Sequence, residues 1–229
     1  TPAMQQVLVT GSSAGIGHAI ATALLDAGWQ VIGVDRADAV ISHAAYRHRT
    51  VDLTDSAALQ AIAQDCPHVD ALVHAAGVLR VGKLGELDHV GGELMWKLHV
   101  DAASRLADVL IPAMAARGRG RAVLIGSRVA AGKAGRSQYA ATKAALIALA
   151  RSWAAEVAPQ GVTVAIDLVG TDEALAQSIA LVRDRSRIAT LVRGADAAGL
   201  GIRAFSGGSP DPLTAQELAW RREAIPVAA

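Results

Sequence analysis

Tyr139 and Lys143 stand four residues apart in the run Tyr139-Ala140-Ala141-Thr142-Lys143. On a helix that spacing puts both side chains on one face. An ammonium held beside a phenol stabilises the phenolate. A phenol helped in this way can exchange a proton with a substrate hydroxyl or carbonyl. Ser127 lies upstream, just past a strand-like run, and can hydrogen-bond the same substrate oxygen. Taken singly these pieces are ordinary, since a Tyr–Lys pair at this spacing is usually a solvated helix face.

A second constellation opens the chain. Thr10-Gly11-Ser12-Ser13-Ala14-Gly15-Ile16-Gly17 sits between a first strand and a first helix. Glycines there permit a tight turn and bring backbone N–H groups close to a pyrophosphate, and the helix N-terminus adds partial positive charge. Gly11, Ser13, Ile16 and Gly17 are the candidate contacts. A glycine-rich turn alone is only a strand-to-helix connection; its place after an N-terminal strand gives it meaning. Asp35 ends the second strand, where a carboxylate accepts bonds from adenosine ribose hydroxyls and repels a 2′-phosphate. NAD is therefore expected rather than NADP. Arg36 follows directly and pulls the other way, since a guanidinium can pair with a phosphate. Asp52 can reach an adenine edge or simply begin a helix. With a dinucleotide in this loop, Lys143 can also hold the nicotinamide ribose.

The elements that must position these groups alternate between β-branched runs and Ala/Leu-rich stretches. Strands are expected at Gln6–Thr10, Val31–Asp35, Thr50–Leu53, Ala71–Ala75, Arg121–Gly126 and Val162–Val169. Helices are expected at Gly15–Gly28, where Ile16, Ile20 and Leu24 recur at helical spacing, from about Leu94 to Ala116, and at Gln138–Ala158. Another helix follows the third strand, with Thr54 as its cap and Leu59 and Ile62 on its apolar stripe. Pro159 and Gly161 end the Gln138–Ala158 helix. Strands alternating with helices imply parallel pairing. The fold class is α/β: a single doubly wound, Rossmann-type parallel sheet with helices on both faces, in the order 3-2-1-4-5-6 with a possible seventh strand. The chain reads as a single dinucleotide-binding catalytic domain over 1–229, with an atypical C-terminal segment from about 166.

From 1 to about 165 the chain resembles the short-chain dehydrogenase/reductase family. The matching motifs are the TGSSAGIG loop, Asp35, the VDL at Val51-Asp52-Leu53, the HAAG at His74–Gly77, Ser127, and the YAATK at Tyr139–Lys143. The resemblance implies hydride transfer between NAD(P) and an alcohol/carbonyl pair. It implies Tyr139 as acid/base, Ser127 as partner of the substrate oxygen, and Lys143 as partner of Tyr139 and the ribose. It adds Asp52, Leu53, Ala75, Ala76 and Gly77 to the cofactor contacts, the last three through close backbone approach.

The chain departs from the family in three places. The family loop after the fourth strand usually reads Asn-Asn-Ala-Gly, and here His74 and Ala75 replace the two Asn. His74 is then a buried structural imidazole or a ligand. Counting back from Pro112-Ala113-Met114, His99 stands where the family often has an Asn that helps hold a relay water. An imidazole there can relay protons or be a polar helix residue without a catalytic part. The last third differs most: Gly170-Thr171 lacks the expected Pro, and a strand at Leu200–Gly208 comes after a short interval. Val164–Gly170, Leu175–Val182 and Arg187–Val192 instead resemble the cofactor domain of zinc-independent medium-chain dehydrogenases and quinone reductases.

Composition narrows the classes. The 229 residues are 52% hydrophobic with a mean hydropathy of +0.32, ample for a core and inconsistent with global disorder. A net charge of +1 and 3% aromatics speak against a nucleic-acid partner. No apolar run reaches membrane-spanning length. The single cysteine, Cys66, excludes an intrachain disulfide and a multi-Cys zinc site, and fits a reducing cytoplasm. No His/Asp/Glu set has metal-ligand spacing, so no metal is expected. A first strand so near Thr1 leaves no room for a secretory leader. Trp96, Trp153 and Trp220 read as packing residues. The first two lie on helices that form a subunit interface in the resembled family, so a homodimer or homotetramer is expected. The Arg183/Arg185/Arg187 run and Arg221-Arg222 are solvated faces or a site for a phosphate-bearing substrate such as a coenzyme A ester. The leading expectation is NAD-dependent interconversion of a secondary alcohol or diol and its carbonyl form. The rivals are a nucleotide-binding protein with weak or no catalysis, and a reductase of acyl thioesters.

Overall fold

The structure is a computed structural model that describes residues 4–167 and two short strands at 189–190 and 203–204. The chain divides into two compact units, Thr1–Leu168 and Val169–Ala229. In the first unit six strands lie side by side, all parallel: β1 Gln6–Thr10, β2 Gln30–Asp35, β3 Tyr46–Thr50, β4 Ala71–His74, β5 Gly120–Ile125 and β6 Val162–Asp167. Their order is β3-β2-β1-β4-β5-β6, as the alternation requires. The order reverses direction at β1 and β4, and a ligand crevice of a doubly wound sheet opens at such a switch point.

Central strands are buried on both faces and read as continuous apolar runs. Val7, Leu8 and Val9 in β1, and Leu72 in β4, are fully enclosed. One core layer sets α2 (Ser56–Asp65) and α4 (Ala102–Ala116) against the sheet through Leu59, Ile62, Leu106, Leu110 and Met114. The other buries Ala21 and Leu25 of α1 (Gly15–Asp26) with Val7, Val9 and Val31.

Three local expectations are corrected. The third strand is Tyr46-Arg47-His48-Arg49-Thr50, not Thr50–Leu53. It is an edge strand with half-buried to exposed side chains, so it carries no apolar signature, while VDL follows its end. Asp55, not Thr54, caps α2, accepting from the N–H groups of Ala57 and Ala58. Thr54 instead donates to Asp52 from both its N–H and its hydroxyl. The long fourth helix begins earlier than Leu94: α3 spans His89–Trp96 behind an Asp88 cap, and a π-helical turn, Lys97–Asp101, joins it to α4. Helix α5 spans Ser137–Val157.

In the second unit Ala189–Thr190 (β7) and Arg203–Ala204 (β8) pair with each other in parallel. They fall within the strands expected at Arg187–Val192 and Leu200–Gly208. The helix expected at Leu175–Val182, the Gly170-Thr171 turn, Trp220 and the Arg183/Arg185 and Arg221-Arg222 runs lie outside the described residues, and the medium-chain resemblance rests mostly on them.

Candidate active site

Every candidate residue lies at or just beyond the C-terminal ends of the strands, or on the helices that follow. Lys143 is the anchor. It is only 6% exposed, and its Nζ donates to the Ile125 carbonyl at 2.8 Å. That bond ties α5 to the end of β5, two residues before Ser127. Burial lowers the Lys143 ammonium from its usual range to about 8. Nζ stands 5.7 Å from the centroid of the Tyr139 ring, one helical turn earlier. Ser127 is half-buried and caps a 3₁₀ turn, Arg128–Ala131, by accepting from the Val129 N–H. Tyr139 and Lys143 thus stand one turn apart on α5, and Ser127 lies two residues beyond the Ile125 carbonyl that holds Lys143.

The two histidines are held by bonds at both ring nitrogens. His99 is fully buried on the π-helical turn. Its Nε2 accepts from the Val78 N–H at 3.0 Å, so that nitrogen carries no proton. Nδ1–H therefore donates to the Thr142 hydroxyl at 2.8 Å, and Thr142 donates to the Tyr139 carbonyl at 2.9 Å. Burial first, then the Lys143 charge, push the His99 imidazolium down to about 3. The ring stands edge-on to Tyr139, with centroids 5.6 Å apart. Both nitrogens have protein partners, which gives His99 a bracing place beside Tyr139. Gly77 has no side chain because there is no room: a Cβ would come within 2.7 Å of His99 Nε2.

His74 takes the structural of its two readings. It is 1% exposed, its Nε2 lies 2.9 Å from the Leu98 carbonyl, and its Nδ1 lies 2.9 Å from Thr10 Oγ1. A carbonyl only accepts, so Nε2 bears the proton and Nδ1 accepts from Thr10. Burial holds this imidazolium down at about 4. Thr10 Oγ1 in turn accepts from the N–H groups of Ala75 and Ala76 at 3.1 Å. Thr10, Thr142 and Ser12 are buried polar residues that motif reading passed over, although all three lie inside the motifs; their complete burial was the missing signal.

The nucleotide end is built from backbone. Gly11 has φ +72°, and a Cβ on it would meet Ala76 Cα at 2.9 Å, so the loop and the segment after β4 touch main chain to main chain. Helix α1 begins at Gly15 with no side-chain cap and no acidic residue in its first turn. Its first N–H groups suit a phosphate anion. Gly17 is buried in that turn, and Ile16 is 40% exposed. Asp35 accepts from the Ser13 N–H at 3.1 Å and the Ala37 N–H at 3.0 Å, and keeps further lone pairs for a ligand. Arg36 and Asp52 are exposed. Hydrogen bonds from Thr54 hold the Asp52 carboxyl below its ordinary range, with a smaller pull from Arg36. Leu53 is a buried core residue. These features fit a nicotinamide dinucleotide laid from α1 toward Lys143. Among the described residues no group of three or more His, Cys, Asp or Glu could hold a metal, and no helix is long and apolar enough to cross a membrane.

Residues 5–179 match the family model described as short chain dehydrogenase. The chain is 33% identical to the 3-oxoacyl-[acyl-carrier-protein] reductase FabG of Escherichia coli, over 69% of each protein. It is 31% identical to the 2-keto-3-deoxy-L-fuconate dehydrogenase of Xanthomonas campestris, over 69% of this chain and 55% of that protein. Among solved structures, a short-chain dehydrogenase from Streptomyces avermitilis superposes with a TM-score of 0.71 at 36% identity, covering 75% of this chain and 67% of that one. A gluconate 5-dehydrogenase from Burkholderia cenocepacia, in complex with NADP and tartrate, gives 0.66 at 26%, covering 71% and 69%.

Proposed function

The chain belongs to the short-chain dehydrogenase/reductase family, an oxidoreductase lineage that uses a nicotinamide cofactor, and on that premise we propose that it interconverts a secondary alcohol or diol and its carbonyl form, with NAD preferred. The observation that carries the reading is the buried Lys143 ammonium, fixed by Ile125 and standing 5.7 Å from the Tyr139 ring. When bound, the nicotinamide supplies the acceptor or donor of hydride. In the oxidation direction Tyr139 takes the substrate hydroxyl proton, and in the reduction it returns one to the carbonyl oxygen. Ser127 holds that oxygen by a hydrogen bond. Lys143 stabilises the charge left on the Tyr139 oxygen, and His99 and Thr142 steady the backbone that bears it. The uncapped start of α1 holds the pyrophosphate, and Asp35 holds the adenosine ribose. Asp35 favours NAD, although the NADP of the Burkholderia structure keeps the phosphorylated cofactor in the test.

We further propose a cytoplasmic homodimer or homotetramer formed through α4 and α5. A groove lined by Ser104, Asp108, Ile111, Leu149 and Trp153 supports this assembly.

The test is absorbance of the reduced nicotinamide with NAD and NADP, against secondary alcohols, diols and hydroxyacyl thioesters. Tyr139→Phe is expected to cut turnover by about 10²–10⁴-fold and leave NADH binding within about threefold. Retained turnover sinks the assignment. NADH binding without turnover on any member favours the nucleotide-binding alternative.

A further inference from the structure

A hydrogen-bonded chain joins the two nucleotide-binding loops by way of the edge strand. The Tyr46 hydroxyl lies 3.0 Å from Ser12 Oγ, inside the glycine loop, and 3.0 Å from His48 Nδ1. His48 Nε2 lies 2.9 Å from the Ala37 carbonyl, in the loop that follows Asp35. Ser12 is completely buried, and Tyr46 and His48 are half-buried. The two residues alternate with Arg47 on β3, so their side chains share one face of the strand while Arg47 takes the other. Tyr46 also requires its neighbour on β2 to be small, since a Cβ on Gly33 would overlap the phenol oxygen.

Two shorter links join the same loops. Ser13 donates from its N–H to Asp35 and from its hydroxyl to the Asp38 carbonyl. The Tyr46–His48 link is a third connection, made from β3 at one edge of the sheet. The ladder with β2 places the strand, and the Tyr46–His48 link ties its side chains to the two loops.

We propose that Tyr46 and His48 are positioning residues for the adenosine half of the dinucleotide. They set the spacing between Ser12 and the loop after Asp35, and with it the geometry in which Asp35 meets the ribose. The inference rests on the dinucleotide reading of the site. A carbonyl only accepts, so His48 Nε2 donates to Ala37. Tyr46 donates to Ser12 Oγ, and its oxygen lies against His48 Nδ1, so the link is continuous from one loop to the other.

The experiment measures NADH affinity by nicotinamide fluorescence on the full chain, with ADP-ribose as a competing probe of the adenosine half. Tyr46→Phe keeps the ring and removes the hydroxyl. It is expected to weaken NADH and ADP-ribose alike by about 3–10-fold, the value of a severed hydrogen-bonded link. His48→Phe should do the same, and the double variant should be no weaker than either single, because both cut one chain. Arg47→Ala, on the same strand but the other face, should leave both affinities unchanged. Where a substrate turns over, KM for the dinucleotide rises and kcat holds. Parent-like affinities in Tyr46→Phe overturn the proposal, as do additive losses in the double variant or a fall in kcat without a change in affinity. A parent that binds NADH but oxidises nothing counts against the oxidoreductase reading alone. A parent that binds neither probe overturns both.

Discussion

The two ends of the crevice solve the same problem with different materials. At the catalytic end His74, His99, Thr10 and Thr142 are buried, and each satisfies its partners inside the protein. At the nucleotide end Asp52 and Arg36 stand in solvent, and Asp35 is held by two backbone N–H groups. A buried polar group left unpaired costs its full desolvation energy, whereas an exposed one is compensated by water. The catalytic end is therefore tied to the stability of the fold, while the nucleotide end can change with little cost to it. The exception inside the buried end is Lys143, whose ammonium donates to the Ile125 carbonyl and has its pKa lowered by burial to about 8. It is the group that burial holds near working pH, and it adjoins Tyr139, the proposed acid/base.

The sharpest way to break this contrast is Lys143→Met. Turnover is expected to fall by about 10³-fold or more, because the charge that supports the Tyr139 phenolate is gone. The melting temperature should hold or rise, because a buried cation has been replaced by an apolar side chain of similar volume. In the parent, turnover should fall above pH 8, as the same ammonium loses its proton. A variant that melts early but still turns over would reverse the roles assigned here.

His99→Leu tests the opposite case. It strands the Val78 N–H, removes the donor to the Thr142 hydroxyl, and should cost about 1–3 kcal/mol by denaturant titration. An unchanged midpoint would mean that the imidazole braces nothing.

Acid reads both buried histidines together. Folded, they ionise only near 4 and 3; unfolded, they return to the ordinary value of about 6.5. Their contribution to stability is complete above about pH 6.5. As the pH falls toward 4 the unfolded chain binds two protons that the folded chain refuses, with a slope of about 2.7 kcal/mol per pH unit. His99→Asn should flatten that slope by about half if it folds, and a parent stability curve flat from pH 7 to 4 would refute the neutral, locked state of both rings.

The smallest effect is expected at the exposed end. Asp35→Asn removes the charge that repels a 2′-phosphate. It should move the NADP/NAD ratio of kcat/KM toward NADP by about tenfold, with a stability change within about 1 kcal/mol. A large loss of stability there would erase the distinction between the two ends.

The sequence made the central architecture legible because its physics is local. Val7-Leu8-Val9 and Ala71-Leu72-Val73 read as buried strands, and the Tyr139–Lys143 spacing puts both residues on one helix face whatever surrounds it. What escaped the reading was non-local. Strand β3 has no apolar pattern because its side chains are half-buried to exposed; its place comes from pairing with β2, Val31 against Tyr46 and Asp35 against Thr50. His74 and His99 had two readings each, and only the partners at both ring nitrogens decide between them. Those partners, Leu98, Thr10, Val78 and Thr142, are scattered along the chain. The Tyr46–His48 link was invisible for the same reason, since its ends meet residues in two other loops.

The wide turn at Lys97–Asp101 acts as a phase corrector. The buried positions Gly91, Met95, His99, Ala103 and Ala107 recur every fourth residue. In a regular α-helix each such step overshoots a full turn by about 40°, so the four steps would wind the stripe about 160° around the axis. One expanded turn takes back part of that winding in the middle of the stripe. The same side of the rod then stays buried at both ends, and the imidazole on it is aimed at Thr142 rather than at solvent. Helix phase, more than the choice of histidine, is what turns that ring into a brace.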